Sequence, residues 1–311
     1  MRSSRFRLPR PLPPGGTIGI CSPSGPPDPV RVARGVARLE ARGHRVKLAA
    51  HALSSHEYFS APDETRVADF MALIDDPEVD MLMMSRGGYG LSRIVHRIDW
   101  QRVAASGKTL CGFSDFTVVN LALLARAGGI SLAGPGVATD FGDQDGESED
   151  DHAFMAAHFW PVARGEACRV EIESETEASP QRVEGPLWGS NLSLLTDLNA
   201  TPFMPKIENG ILFIEEIGEH PYVVERMLLQ LLHAGVLAAQ RAVLLANFTD
   251  CQPMEGRFPY SMSHVVATMR RMLPCPVLTG LPFGHVARKL TLPFGADAVV
   301  EISRTGYSLA Y

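Results

Sequence analysis

Along the first half of the chain short apolar runs of strand length alternate with segments whose apolar positions recur at helical spacing. Thr17–Cys21 is a short apolar run that ends in the turn-rich segment SPSGPPDP. Residues 30–42 follow, with Val32, Val36 and Leu39 at helical spacing. Pro29 suits the first helical turn and Gly43 a stop. Arg45–Ala49 reads as extended, and Asp63–Ile74 as a helix with Val67, Phe70, Met71 and Ile74 on one stripe. Val79–Met84, apolar but for Asp80, reads as a strand ahead of SRGGYG. Leu110–Phe113 is another, running straight into a helix from Phe116 to Arg126, and Ile130–Ala133 closes the series.

Strands alternating with helices predict an α/β fold whose N-terminal sheet is mostly parallel and flanked by helices. Such sheets hold ligands at the C-terminal ends of their strands. SPSGP, SRGGYG and FSDFT each follow a strand, so all three are expected at one edge. Between about Phe141 and Glu184 the acidic GDQDGESEDD and the polar ESETEASPQ read as boundary loops around a helix and a strand. A boundary near residue 150 then gives an N-terminal domain, 1–150, and a C-terminal α/β domain, 151–311, with a mixed sheet. In the second, Gly210–Glu216 and Ala242–Asn247 read as strands, Pro221–His233 and Tyr260–Met272 as helices.

Composition narrows the partners. The chain is 45% apolar and 21% charged with a net charge of −6, and its basic residues are scattered, so nucleic acid is not expected. Five dispersed cysteines without a CxxC pair suit a reducing compartment. The basic, proline-rich N-terminus lacks an apolar core for a signal peptide, and no run approaches the roughly 20 residues of a membrane span. A cytoplasmic location is expected.

Candidate chemistry lies at the strand ends. Ser114, in CGFSDFTVVNLALL, stands where a strand turns into a helix, an exposed position near a helix N-terminus. The match to the nucleophile elbow GxSxG is partial, because Phe116 stands in place of the second glycine; capping of the helix by Ser114 or Asp115 explains the same residues. The run Arg86-Gly87-Gly88-Tyr89-Gly90 can aim backbone N–H groups at an oxyanion or phosphate, or be an ordinary turn. Glu215 and Glu216 end an apolar strand and point to opposite faces if it stays regular, so at most one faces a given imidazole. His285, between glycine and proline turns, is one of ten histidines. There is no HExxH, and His152 with His158 has the wrong spacing for a helical zinc pair, so neither metal nor cofactor is expected.

Taken together the segments GGTIGICSPSGP, DMLMMSRGGYGLSRIV, GFSDFTVVNLAL, LWGSNLSLL, ILFIEEIGEHPYVVERMLLQL and FGHVARKLTLPFGADA resemble, in order and across nearly the whole chain, the L,D-carboxypeptidases, or muramoyl-tetrapeptide carboxypeptidases. The resemblance implies a metal-free serine peptidase with its active site in the cleft between the domains, forming a homodimer and releasing the terminal D-Ala from muropeptide tetrapeptides in wall recycling. By motif, Ser114 matches the nucleophile, His285 the base and Glu215 the acid, although Glu216 stands where the family commonly has Asp. Backbone N–H groups near Gly87 and Gly88 and at Asp115 would form the oxyanion hole, Arg86 would clamp a substrate carboxylate, and Asn191 would line the cleft. Two other readings remain: a microcin-immunity-type serine peptidase acting on peptidyl or aminoacyl nucleotides, and a non-catalytic ligand-binding protein. The first calls for a longer, aromatic specificity loop, whereas the stretch from Ser179 to Leu187 is short and has no aromatic residue.

Overall fold

In the computed structural model residues 6–142, 148–174, 177–254 and 259–311 are described. The acidic stretch expected at the boundary lies partly outside them. The first unit runs β1 (Thr17–Cys21), α1 (Pro29–Ala41), β2 (Arg45–Leu48), α2 (Asp63–Asp75), β3 (Met81–Met84), α3 (Leu91–Ile94), α4 (Trp100–Ser106), β4 (Thr109–Gly112), α5 (Thr117–Ala127), β5 (Ser131–Ala133) and α6 (Glu149–Ala163). The second runs β6 (Arg169–Glu173), β7 (Gln181–Asn191), α7 (Leu192–Asp197), β8 (Ile211–Ile217), α8 (Pro221–His233), β9 (Ala242–Thr249), α9 (Met262–Met272), β10 (Val277–Thr279), β11 (Leu292–Phe294), β12 (Asp297–Ile302) and β13 (Gly306–Ala310).

The first sheet has the order β11-β5-β4-β3-β1-β2, with parallel pairing from β5 through to β2. Its central strands β1, β3 and β4 are buried along their whole length because both faces are covered. Successive side chains of β3 alternate between the two cores: Met81 and Met83 join a cluster with Leu39, Phe159 and Trp160, while Leu82 and Met84 join one with Phe70, Leu73 and Val118. Helices α1 and α6 therefore cover one face, and α2 and α5 the other. The α1 boundaries follow their local signals. Asp28 accepts from the Val30 and Arg31 N–H groups ahead of Pro29, and Gly43 takes a positive φ of 87° just past the end.

The second sheet is mixed, in the order β10-β9-β8-β7-β12-β13-β6. Strands β7, β8, β9 and β10 run parallel, and β12, β13 and β6 continue as an antiparallel meander from β7. The result is the two-domain α/β fold expected from the sequence. Two elements bind the halves more closely than a boundary at residue 150 implies. Helix α6, beyond that point, packs on the first sheet through Met155, Phe159 and Trp160. Strand β11 pairs antiparallel with β5, Leu292 opposite Ala133, and becomes an edge strand of the first sheet. The segment that carries His285 is thus held between β10 in one sheet and β11 in the other.

Candidate active site

The loops after β1, β3 and β4 meet at one edge of the first sheet, as their placement at C-terminal strand ends requires. Ser22, after β1, and Ser85, after β3, share a hydrogen bond of 2.6 Å between hydroxyls. Gly87 approaches Ser114 so closely that a Cβ there would lie 2.7 Å from the Ser114 Cβ and 3.0 Å from its Oγ. Glycine is needed at 87 for this approach.

Ser114 opens a single 3-10 turn, Ser114–Phe116, between β4 and α5. Its φ is +59°, in the left-handed region that L side chains rarely adopt. The turn lifts the hydroxyl above the sheet edge, the geometry of a nucleophile elbow. The departure from GxSxG has a packing cause. The Phe116 ring is fully buried and lies against Gly112, where a Cβ would come within 2.5 Å of it. Space that the motif's second glycine would leave open is here filled by an aromatic ring, and Gly112 is what accommodates it.

Across the cleft, His285 Nε2 is 3.0 Å from Ser114 Oγ, and His285 Nδ1 is 2.8 Å from Glu215 Oε2. A carboxylate only accepts, so Glu215 selects the tautomer with the proton on Nδ1, leaving Nε2 to accept from the serine hydroxyl. Glu215 is fully buried and His285 is partly exposed toward the cleft. The Phe113 ring meets the imidazole edge-on, centroids 5.2 Å apart at 62°. The Thr249 hydroxyl donates to the His285 carbonyl at 3.1 Å.

Both glutamates are buried, and they divide the work. The pairing of β8 with β9 shifts register between Ile214 and Glu216, the extra residue lying in β9, while β8 stays in register with β7 through Glu215. Glu215 faces His285. Glu216 turns to the start of α7, accepting from the Ser193 N–H and hydroxyl, both at 2.7 Å, and from the Ile217 N–H at 2.9 Å. The Asn191 amide donates to Glu215 Oε1 and to Glu216 Oε1, each at 3.1 Å. Burial raises the Glu216 carboxyl above its usual range in spite of these donors.

Asn191 is therefore not a cleft-lining residue. It is 3% exposed, caps α7 by accepting from the Leu194 N–H, and holds the two carboxylates from behind. Asp115 lies beside the serine, its Oδ2 3.4 Å from Ser114 Oγ, and burial raises its carboxyl while the Asp115 and Gly88 N–H groups act in the opposite sense. Both N–H groups thus act on the Asp115 carboxyl beside Ser114. Arg86 is exposed on the rim, with its Nε donating to the Gly87 carbonyl at 3.2 Å. Sequence reasoning missed Phe113 and Ser193; no local pattern signals them, since each acts through a neighbour from another element. Among the described residues no group of three His, Cys, Asp or Glu side chains could hold a metal ion.

A hydroxyl, an imidazole and a buried carboxylate in a hydrogen-bonded row, on a strand-end turn, define a hydrolase-type site. The profile of the LD-carboxypeptidase N-terminal domain matches residues 18–134 and that of the C-terminal domain residues 184–300. The chain belongs to this family, peptidase S66, and is a peptidase. It is 32% identical to the "Probable murein peptide carboxypeptidase" of Bacillus subtilis, over 94% of this chain and 91% of that one. The crystal structure of muramoyltetrapeptide carboxypeptidase from Oxalobacter formigenes superposes with a TM-score of 0.87 at 37% identity, covering 94% of this chain and 98% of that one. The microcin C7 self-immunity protein of Escherichia coli is 25% identical over 99% of this chain and 97% of its own length.

Proposed function

We propose that this protein is a serine L,D-carboxypeptidase that releases the terminal D-Ala from muropeptide tetrapeptides, with Ser114 as nucleophile, His285 as base and Glu215 as acid. The observation that carries the reading is the unbroken row Ser114 Oγ, His285 Nε2, His285 Nδ1 and Glu215 Oε2, with separations of 3.0 and 2.8 Å. His285 takes the hydroxyl proton as Oγ attacks the carbonyl that precedes the D-residue. The oxyanion of the tetrahedral intermediate receives the N–H groups of Gly88 and Asp115, and removing one such donor typically costs about 2.7–4 kcal/mol of barrier. His285 then gives its proton to the departing amine. Water, deprotonated by the same imidazole, hydrolyses the acyl ester. Glu215 holds the ring and stabilises its cation throughout. Arg86, on the rim, is suited to the substrate's terminal carboxylate, because a guanidinium matches that group bidentately.

The murein-directed relatives support this substrate over a nucleotide conjugate. So does β7: residues 181–186 are a regular strand paired with β12, not an extended aromatic loop. The five free cysteines are in keeping with a cytoplasmic enzyme, and no helix among the described residues is long and apolar enough to cross a membrane. We further propose a homodimer, which light scattering of the purified protein tests. The decisive experiment incubates wild type and Ser114→Ala with muramoyl tetrapeptide and measures free D-Ala. Wild type is expected to release it and the variant to retain less than a few per cent of the rate with its fold intact. Substantial turnover by the variant would remove Ser114 from the role.

A further inference from the structure

A buried cation sits against the nucleophile's own neighbour and takes no part in the row just described. Lys289 follows His285 by four residues in the same segment and is 1% exposed. Its Nζ lies 2.6 Å from Asp140 Oδ1, and Asp140 is likewise 2% exposed. Asp140 is fixed from its own turn: Oδ2 accepts from the Gly136 N–H and from the Thr139 hydroxyl, both at 2.8 Å. The same ammonium lies 3.3 Å from the centroid of the Phe113 ring. Phe113 directly precedes Ser114 and is the ring that meets His285.

An ammonium removed from water is expensive even when paired, and an apolar side chain of similar length would fill this volume at less cost. What a cation adds is direction. It attracts the face of an aromatic ring, most strongly when desolvated, and so fixes the plane of the ring as a methyl group would not. Asp140 belongs to the first unit, and Lys289 and His285 to one segment reached from the second. The ion pair and the ring contact together register the histidine segment on the serine turn.

We propose that Lys289 is a positioning residue: its ammonium, anchored by Asp140, holds the Phe113 ring against the His285 imidazole and thereby sets the approach of that imidazole to Ser114. The proposal rests on the reading of Ser114 and His285 given above. The Ser114→Ala experiment separates the two, since residual turnover there would undo that reading, whereas the result below concerns Lys289 alone.

The test is a double-mutant cycle on the full chain, Lys289→Met, Phe113→Leu and the pair together. It measures kcat and KM for D-Ala release, the rate of Ser114 labelling by a fluorophosphonate, and thermal unfolding. Each single variant is expected to lower kcat and labelling about tenfold or more with KM within twofold. The double variant should fall no more than about threefold below the worse single one, because both break the same contact. Lys289→Met leaves Asp140 buried and unpaired, so the neutral pair Lys289→Met with Asp140→Asn keeps the question open should the single variant not fold. It is expected to fold and to show the same loss of kcat. Wild-type kcat in the neutral pair, multiplicative losses in the cycle, or a change confined to KM would each overturn the proposal.

Discussion

Gly87→Ala adds one methyl group at the place where the two strand-end loops touch. The residue is buried, and its φ is not among the positive ones, so alanine meets no backbone penalty and the effect is purely steric. The new Cβ would lie 2.7 Å from the Ser114 Cβ, 3.0 Å from its Oγ and 3.3 Å from the Phe113 carbonyl. The first distance is roughly 0.8 Å short of ordinary carbon–carbon contact. Neither side is a flexible side-chain end: one is backbone and the other a serine held at a strained φ of +59°. The loops must therefore part, and the 3.0 Å step from Ser114 to His285 lengthens with them. Overpacking of this kind costs about 1–3 kcal/mol of stability, and a displacement near 1 Å at a reacting group costs roughly 100-fold in rate. The assay is D-Ala release from muramoyl tetrapeptide at saturating substrate, with urea unfolding beside it. A kcat within threefold of wild type in a folded variant would refute the claim that close approach at Gly87 sets the serine.

Three further outcomes are expected. Glu215→Gln should lower kcat by about 10³–10⁴-fold, since an amide can support the wrong imidazole tautomer, whereas Glu216→Gln, one residue away but not touching His285, should lower it far less; equal losses would contradict the division seen at the end of β8. The Glu216 carboxyl, pushed up chiefly by burial, binds its proton more tightly folded than unfolded. Its stabilisation is then complete below the ordinary glutamate value of about 4.3 and is lost as pH rises through the folded value. Urea unfolding of wild type relative to Glu216→Gln should accordingly show a stability difference that moves in favour of wild type from pH 7 toward pH 5; the opposite slope would mean that its hydrogen bonds outweigh burial. Dialysis against EDTA should leave D-Ala release unchanged, and loss reversed by zinc would oppose the mechanism proposed here.

Much of this architecture is local and could be read without coordinates. The apolar runs of β1, β3 and β4 are doubly buried strands, and the spacing in residues 30–42 and 63–74 gives α1 and α2, because helix and strand periods are properties of a few consecutive residues. Glycine and serine after those strands mark the loops, and the ends of parallel strands bring such loops to one edge. Six ordered segments were enough to identify the family resemblance, and the profiles of both its domains match.

Other features were beyond any local pattern. Strand β11 is a three-residue stretch, Leu292–Phe294, whose membership of the first sheet depends on β5, some 160 residues away. That at most one of Glu215 and Glu216 faces a given imidazole is legible in the strand period, but only the fold shows which one meets His285 and that the other meets Ser193. Asn191 reads as a cleft residue until β7 and β8 align it opposite Glu215. Lys289, in a segment with no helical or strand period, is an ordinary surface lysine by composition and a buried one in the fold. The sequence alone determines which elements form, because backbone geometry answers to neighbours along the chain. Only the tertiary structure decides which charges lose water and what they then touch, because that depends on residues far apart in the chain arriving at the same place.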